Sequence, residues 1–444
     1  WASYTSYSDE NRDRVYGNAG VEWNIAKGLK ATAKVHGDVY TYSVEDRIAV
    51  YSRTTSMYSE KVQRFQEFNY EAMLHYNTAL KNFTLNAFIG TNLMHQRRNI
   101  NNGETQGGLI IPEYYNLSNA TSVLTTDKTY RKEIRSLLGN VSLGWKSMLF
   151  ADATFRNDWS STLPANENSY FYPSFSGSFI FTELEPVKAV SWLNFGKVRL
   201  GWAQVGNDTD PYSLSRTYEY KNSSFGGVPN YGLDIILNNA HLKPELTNSV
   251  EAGIELKLLN NRVGLDLTYY NNLTKNQIMQ VPLAASSGYT SQWMNAGEIS
   301  NKGLEVVLNV VPVQTANFQW EATFNWSKNN NKVEKLNDQL KTLQIASSFV
   351  ALHATVGKPY GELMGYNYVF DSEGNKVVAA NGVYAKTAQT EGLGSVLPDW
   401  LGGVRNSFRY KNFDAGFLID VRKGGYFYSI TQQYGMYSGT LEET

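Results

Sequence analysis

The chain has no cysteine, which excludes a disulfide scaffold and any thiolate metal site. It has no run of ~18 apolar residues, so no segment is expected to cross a bilayer as a helix. Neither sign of charge prevails, with 40 Lys and Arg against 41 Asp and Glu. A nucleic-acid partner, which calls for an excess of Lys and Arg on one surface, is therefore not expected. The P-loop and the G-x-S-x-G nucleophile elbow are both missing. His36, His75, His95, His241 and His353 show no zinc-motif spacing. The opening WASYTSYSDENRDRVYG lacks the basic and apolar regions of a signal peptide. The sequence is thus expected to be a mature piece or an internal fragment.

Aromatic residues are plentiful, at 14% of the chain. They fit a large β-core, carbohydrate binding, or girdles at two membrane interfaces. Residues 246–258, LTNSVEAGIELKL, divide by parity. Leu246, Val250, Ala252, Ile254, Leu256 and Leu258 fall on one face, broken by Asn248. Thr247, Ser249, Glu251, Gly253, Glu255 and Lys257 fall on the other. Side chains of a strand alternate with period two, so the pattern predicts a strand with one oily and one wet face. The pattern recurs at 29–39, 68–77, 83–89, 137–145, 149–155, 198–202, 263–270, 304–310, 317–326, 404–410 and 413–421. Mean hydropathy is −0.39, a value that hides an apolar band carried by every second residue.

These segments predict about fourteen strands of about ten residues, the length that crosses a bilayer at a barrel tilt. Short turns such as 259–261 and 315–316 alternate with long polar stretches at 98–130, 206–245, 271–300 and 331–360. The fold class expected is all-β, a transmembrane antiparallel β-barrel. A sheet that fails to close leaves edges that lipid does not tolerate. Either the chain closes alone or further strands complete it.

Residues 241–336 carry an ordered set of motifs. Leu242–Glu245 (LKPE), Glu251, Gly253, Tyr269–Tyr270, Asn295–Gly297 (NAG), Asn301–Gly303 (NKG), Glu305 and Trp320 occur in sequence. Upstream stand FRNDWSSTLPANENSYFYPSFSGSF and KVRLGWAQVGNDTDPY; downstream, VGKPYGELMGY and LPDWLGGVRNSFRYKNFDAGFLIDVRKGGYFYS. This series resembles the SusC/RagA family of TonB-dependent outer-membrane transporters. The resemblance implies a bacterial outer-membrane location and active import of a nutrient oligomer, glycan or peptide. It implies a SusD-like surface lipoprotein as lid and energy from the TonB complex through an N-terminal region. It also implies a larger barrel of 22 strands, of which residues 1–444 would be a portion without the plug domain. A passive porin or surface adhesin would share the barrel physics, and a soluble glycan-binding β-protein is a third reading.

Catalytic residues, cofactors and metals are not expected. Glu251, Glu255 and Glu305 have the spacing of strand-alternate residues, and Asp371–Asn375 reads as a hairpin turn. The candidates for a wet lumen are Glu251, Glu255, Asp266, Glu305, Asn309 and Glu321. Tyr114, Tyr115, Tyr231, Tyr289 and Trp293 are candidate ligand-stacking aromatics in loops. The clusters Tyr170–Tyr172, Tyr269–Tyr270 and Tyr426–Tyr428, with Trp192, read as membrane girdle. The glycines at 226–232 and 402–403 read as turn punctuation.

Overall fold

Strands of opposite direction follow one another along the chain, joined by hairpins, so the sheet grows one neighbour at a time. The computed structural model describes residues 5–225, 228–337 and 340–441. β1 (Tyr7–Ala26), β2 (Leu29–Ile48), β3 (Met57–Leu80), β4 (Phe83–Gln106) and β5 (Ser122–Trp145) open the sheet. β6 (Leu149–Ser160), β7 (Ser169–Ile180) and β8 (Leu193–Asn207) continue it. The chain then leaves to form β9 (Tyr218–Phe225), β10 (Val228–Leu233) and β11 (Ile236–Leu237), and returns as β12 (Glu245–Leu258) and β13 (Val263–Lys275). After β14 (Ile278–Pro282) and β15 (Ser291–Asn295) come the long β16 (Glu298–Gln314) and β17 (Phe318–Lys335). β18 (Thr342–Ser347), β19 (Ala351–Thr355), β20 (Glu362–Gly365) and β21 (Glu391–Ser395) make a small sheet of their own. β22 (Trp400–Tyr410) and β23 (Phe413–Lys423) finish the large one.

The main sheet has fourteen strands in the order β1 to β8, β12, β13, β16, β17, β22, β23, every pair antiparallel. Among the described residues β1 and β23 pair on one side only, so the sheet is a curved wall with two edges.

Several expectations need correction. The strands run from 11 to 24 residues rather than about ten, because pairing continues past the apolar band into the connections. Thus 98–106 and 122–130 belong to β4 and β5, and the loop between them is only 107–121. The stretches 206–245, 271–300 and 331–360 hold the small sheets just described rather than plain loop. β1 and β7 escaped the parity reading. In β1, Val15, Val21 and Trp23 alternate with Arg14, Tyr16 and Glu22, but Gly17 and Ala19 interrupt the oily row. Gly402 and Gly403 lie inside β22. A Cβ at Gly403 would come within 2.6 Å of Asn325 Oδ1 and 2.8 Å of Asp420 Oδ1, so close cross-strand approach explains it rather than a turn. Of 226–232, residues 226 and 227 lie outside the described residues.

Turn lengths keep their alternation. Short connections lie at 27–28, 81–82, 146–148, 259–262, 315–317 and 411–412, all at one end of the sheet. The connection 181–192, with a 3-10 turn and a four-residue helix, belongs to that end too. The opposite end carries the connections 49–56, 107–121, 161–168, 208–244, 276–297 and 336–399 and both small hydrophobic cores. One core gathers Leu163, Tyr170 and Leu242 with Ile278 and Trp293 around it; the other gathers Val333, Leu336, Leu343 and Ala354.

Candidate functional site

Cross-strand register fixes which side chains share a face. Glu251 stands opposite Gly201 and Tyr270, and Glu255 opposite Lys197 and Asp266. Glu305 stands opposite Thr268 and Ser327, and Asn309 opposite Gly264 and Thr323. Glu321 is two residues from Thr323, on the same side of β17. All six lumen candidates therefore project from one face. The other face carries Leu200, Ile89, Phe175 and Val250, which are 67%, 51%, 55% and 48% exposed. Water would penalise an apolar surface of that extent, whereas hydrocarbon does not.

The polar face is a connected network. Arg199 sends two N–H groups to the Asp266 carboxylate, at 2.6 and 3.0 Å. It reaches from β8 to β13 by passing over β12 at Gly253. A Cβ there would lie 2.6 Å from Arg199 Nε, so the glycine leaves the path open. Lys197 Nζ is 3.7 Å from Glu255. Glu251 and Glu305 meet in a recess of about 380 Å³ with Thr268, Tyr270, Asn272, Asn301 and Asn329. Tyr270 Oη donates to Asn329 Oδ1 at 3.3 Å, and its ring covers Gly303, where a Cβ would fall 2.3 Å away. Asn309 and Glu321 stand apart from this recess: Asn309 accepts from Thr323 Oγ1 at 2.8 Å, and Glu321 accepts from Gln319 at 2.5 Å.

Alternation also splits the aromatic clusters, which corrects the girdle reading. Tyr170 and Tyr172 stack at 5.8 Å on the polar face, where Tyr172 donates to Asp158, while Phe171 alone is on the apolar face, 55% exposed. Tyr269 and Tyr270 divide in the same way.

At the loop end the motif residues prove to be structural. Leu242 is fully buried. Lys243 N donates to Asn295 Oδ1 (2.8 Å), and Asn295 Nδ2 returns to Lys243 O (2.7 Å) and Asn276 O (2.8 Å). Glu245 accepts from Ile278 N at 2.7 Å. LKPE and NAG thus interlock and fix β14 and β15 to the start of β12. Asp208, almost wholly buried, binds Lys132 at 2.6 Å and Thr162 Oγ1 at 3.0 Å, tying the loop after β8 to β5 and to the connection after β6.

Between these tied segments lies a cavity of about 790 Å³. Its lining includes Lys128, Tyr130, Asp210, Tyr212, Glu219, Asp234, Asn238, Gln280 and Trp293. A second cavity of about 340 Å³ shares Asp210 and Trp293 with it. Of the five loop aromatics singled out from the sequence, Trp293 lines both. Tyr114 and Tyr231 are largely exposed elsewhere, and Tyr115 donates to Thr5 O at 3.0 Å with Arg47 over its ring. Tyr289 lies beneath Arg216. Sequence reasoning missed Tyr130, Tyr212, Asp210 and Asp234. Tyr130 was hidden because strand pairing there has no oily face to mark it. No group of three or more His, Asp or Glu suited to a metal occurs among the described residues.

A two-faced antiparallel wall with short turns at one end and built-up loops at the other is that of an outer-membrane β-barrel. The chain belongs to the family described as TonB dependent receptor-like, beta-barrel, which it matches over residues 1–440. Members of that family are receptors and transporters rather than enzymes. TonB-dependent receptor P26 of Formosa agariphila is 27% identical over 345 residues, 71% of this chain and 34% of that protein. TonB-dependent receptor SusC of Bacteroides thetaiotaomicron is 25% identical over 328 residues, 67% of this chain and 32% of that protein. The solved RagAB peptide transporter superposes with a TM-score of 0.78 at 18% identity, covering 94% of this chain and 48% of that one. These likenesses place the chain with the SusC/RagA proteins of the bacterial outer membrane. It spans about a third of the length of these curated relatives.

Proposed function

We propose that this wall belongs to an active importer of nutrient oligomers, glycan or peptide, across the outer membrane. The observation that carries the reading is the division of the wall: one face is polar and holds the Glu251–Glu305 recess, the opposite face is apolar, and cavities lie among the connections at the loop end. On this reading Glu251, Glu255, Asp266, Glu305, Asn309 and Glu321 line a wet lumen. Their task is to hold water and shape the field for a passing solute rather than to react. Further strands close the barrel between β1 and β23. Energy comes from the TonB complex acting on a plug N-terminal to the barrel strands. A SusD-like surface lipoprotein covers the loop end, in keeping with the likeness to SusC and to the RagAB peptide importer. The test is uptake of labelled oligosaccharides and peptides by cells with and without the gene, with and without an intact TonB system. Uptake lost in both deletions supports import; uptake that persists without TonB makes the barrel a passive porin.

A further inference from the structure

We propose that the loop-end cavity lined by Asp210, Asp234, Trp293 and Tyr212 recognises a protonated amine on the imported oligomer. The inference rests on the import reading and adds the chemistry of the substrate. At about 790 Å³ the cavity has the size of a ligand site. It is also held in shape from below, because Trp293 packs against the core around Leu242 and Tyr170. A preformed wall keeps the ordering cost of binding low.

Charge then sets the ligand's sign. Lys128 is 4.0 Å from Glu219, and Lys132, in the adjoining cavity, is 2.6 Å from Asp208. Asp210 and Asp234 have no cationic partner among the described residues, so each presents a carboxylate to whatever enters. Arg97 and Arg131 pair directly across β4 and β5. They line a neighbouring recess of about 500 Å³ with Lys132 and Tyr212, and do not line this cavity. Indole and phenol rings beside carboxylates that lack a cationic partner among the described residues suit an ammonium, which is drawn to both the π-face and the anion. Arg98, directly opposite Tyr130, holds its guanidinium 4.6 Å from that ring's centroid, which takes up the Tyr130 face and leaves Tyr212 and Trp293 as the rings for the ligand. The lining carries four carboxylates, Asp127, Asp210, Glu219 and Asp234, against one ammonium, Lys128, so a uronate or sulfated sugar would meet net repulsion there.

Two sources supply a protonated amine, a basic peptide and an amino sugar oligomer. The test uses the full-length transporter with its surface lipoprotein, in detergent, and measures binding of fluorescently labelled trilysine and of a glucosamine trimer, each against its N-acetylated form. One or both amines should bind about tenfold more tightly than the acetylated form, and the arm that does so names the source. Asp210→Asn with Asp234→Asn should bring the two forms within about threefold, while Asp371→Asn, in a separate turn, leaves the preference intact. Equal binding of amine and acetylated forms to the wild type overturns the proposal, as does a preference that survives the double variant. TonB-dependent uptake is scored separately. Import of an uncharged oligomer without amine preference ends this inference alone, and absence of any import ends the reading beneath it.

Discussion

Ile254 and Glu255 are neighbours in β12, yet register sends them into different solvents. Ile254 pairs with Val198 and Leu267 on the apolar face, while Glu255 sits near Lys197 on the polar one. Ile254→Arg should cost ~2–4 kcal/mol if the residue is near the bilayer midplane. Glu255→Gln removes a partly exposed ion pair and should cost under ~1 kcal/mol. Urea titration of the full-length protein in lipid vesicles measures both, and equal losses would contradict the assignment of faces. Gly303 offers a second test. Its Cβ-free backbone receives the Tyr270 ring, so Gly303→Ala forces the ring aside and should cost ~1–3 kcal/mol. The same titration should show the loss.

Elements were legible in the sequence where an oily row ran unbroken, as in β13 and β17, or was broken once near its start, as by Asn248 in β12. β1 was lost because Gly17 and Ala19 blank the row. The outer halves of β4 and β5 were lost because both faces there meet water and parity carries no signal. The same physics hid the loop-end cavity. Its shape depends on Asn295 meeting Lys243 across 52 residues, and no local pattern encodes that meeting. That the six acidic and amide candidates share one face was readable because a strand's period sets it without tertiary information. Short-range chemistry was also readable. Asp371 Oδ1 accepts from the backbone N–H of Glu373 and of Asn375, both at 2.9 Å, which closes the hairpin turn that the sequence suggested. The Asn375 amide above all holds the Asp371 carboxyl below the usual carboxylate range. A lowered pKa means the turn is supported at and above the ordinary Asp value of ~4 and loses that support as pH falls through the lowered one. Hydrogen exchange across 366–386, corrected for intrinsic rates, should therefore stay constant from about pH 7 to 5 and quicken below ~4. Asp371→Asn should abolish the pH dependence.

At the scale of the molecule, the two faces and the two edges make separate demands on their surroundings. The N–H and C=O groups along the outer sides of β1 and β23, unpaired among the described residues, cannot rest in hydrocarbon, where each costs several kcal/mol. The 444-residue chain expressed alone should consequently fail to give a folded, heat-modifiable monomer in vesicles, and the full-length protein should give one. The faces are tested most directly by water itself. Because the chain has no cysteine of its own, single cysteines at positions 250 through 257 in an otherwise cysteine-free full-length protein, each treated in intact vesicles with a membrane-impermeant thiol reagent, report which face is wet. Labelling at 251, 253, 255 and 257 with protection at 250, 252, 254 and 256 is the result expected of a lumen wall. Uniform labelling, or the opposite parity, would contradict the barrel orientation on which the import reading stands.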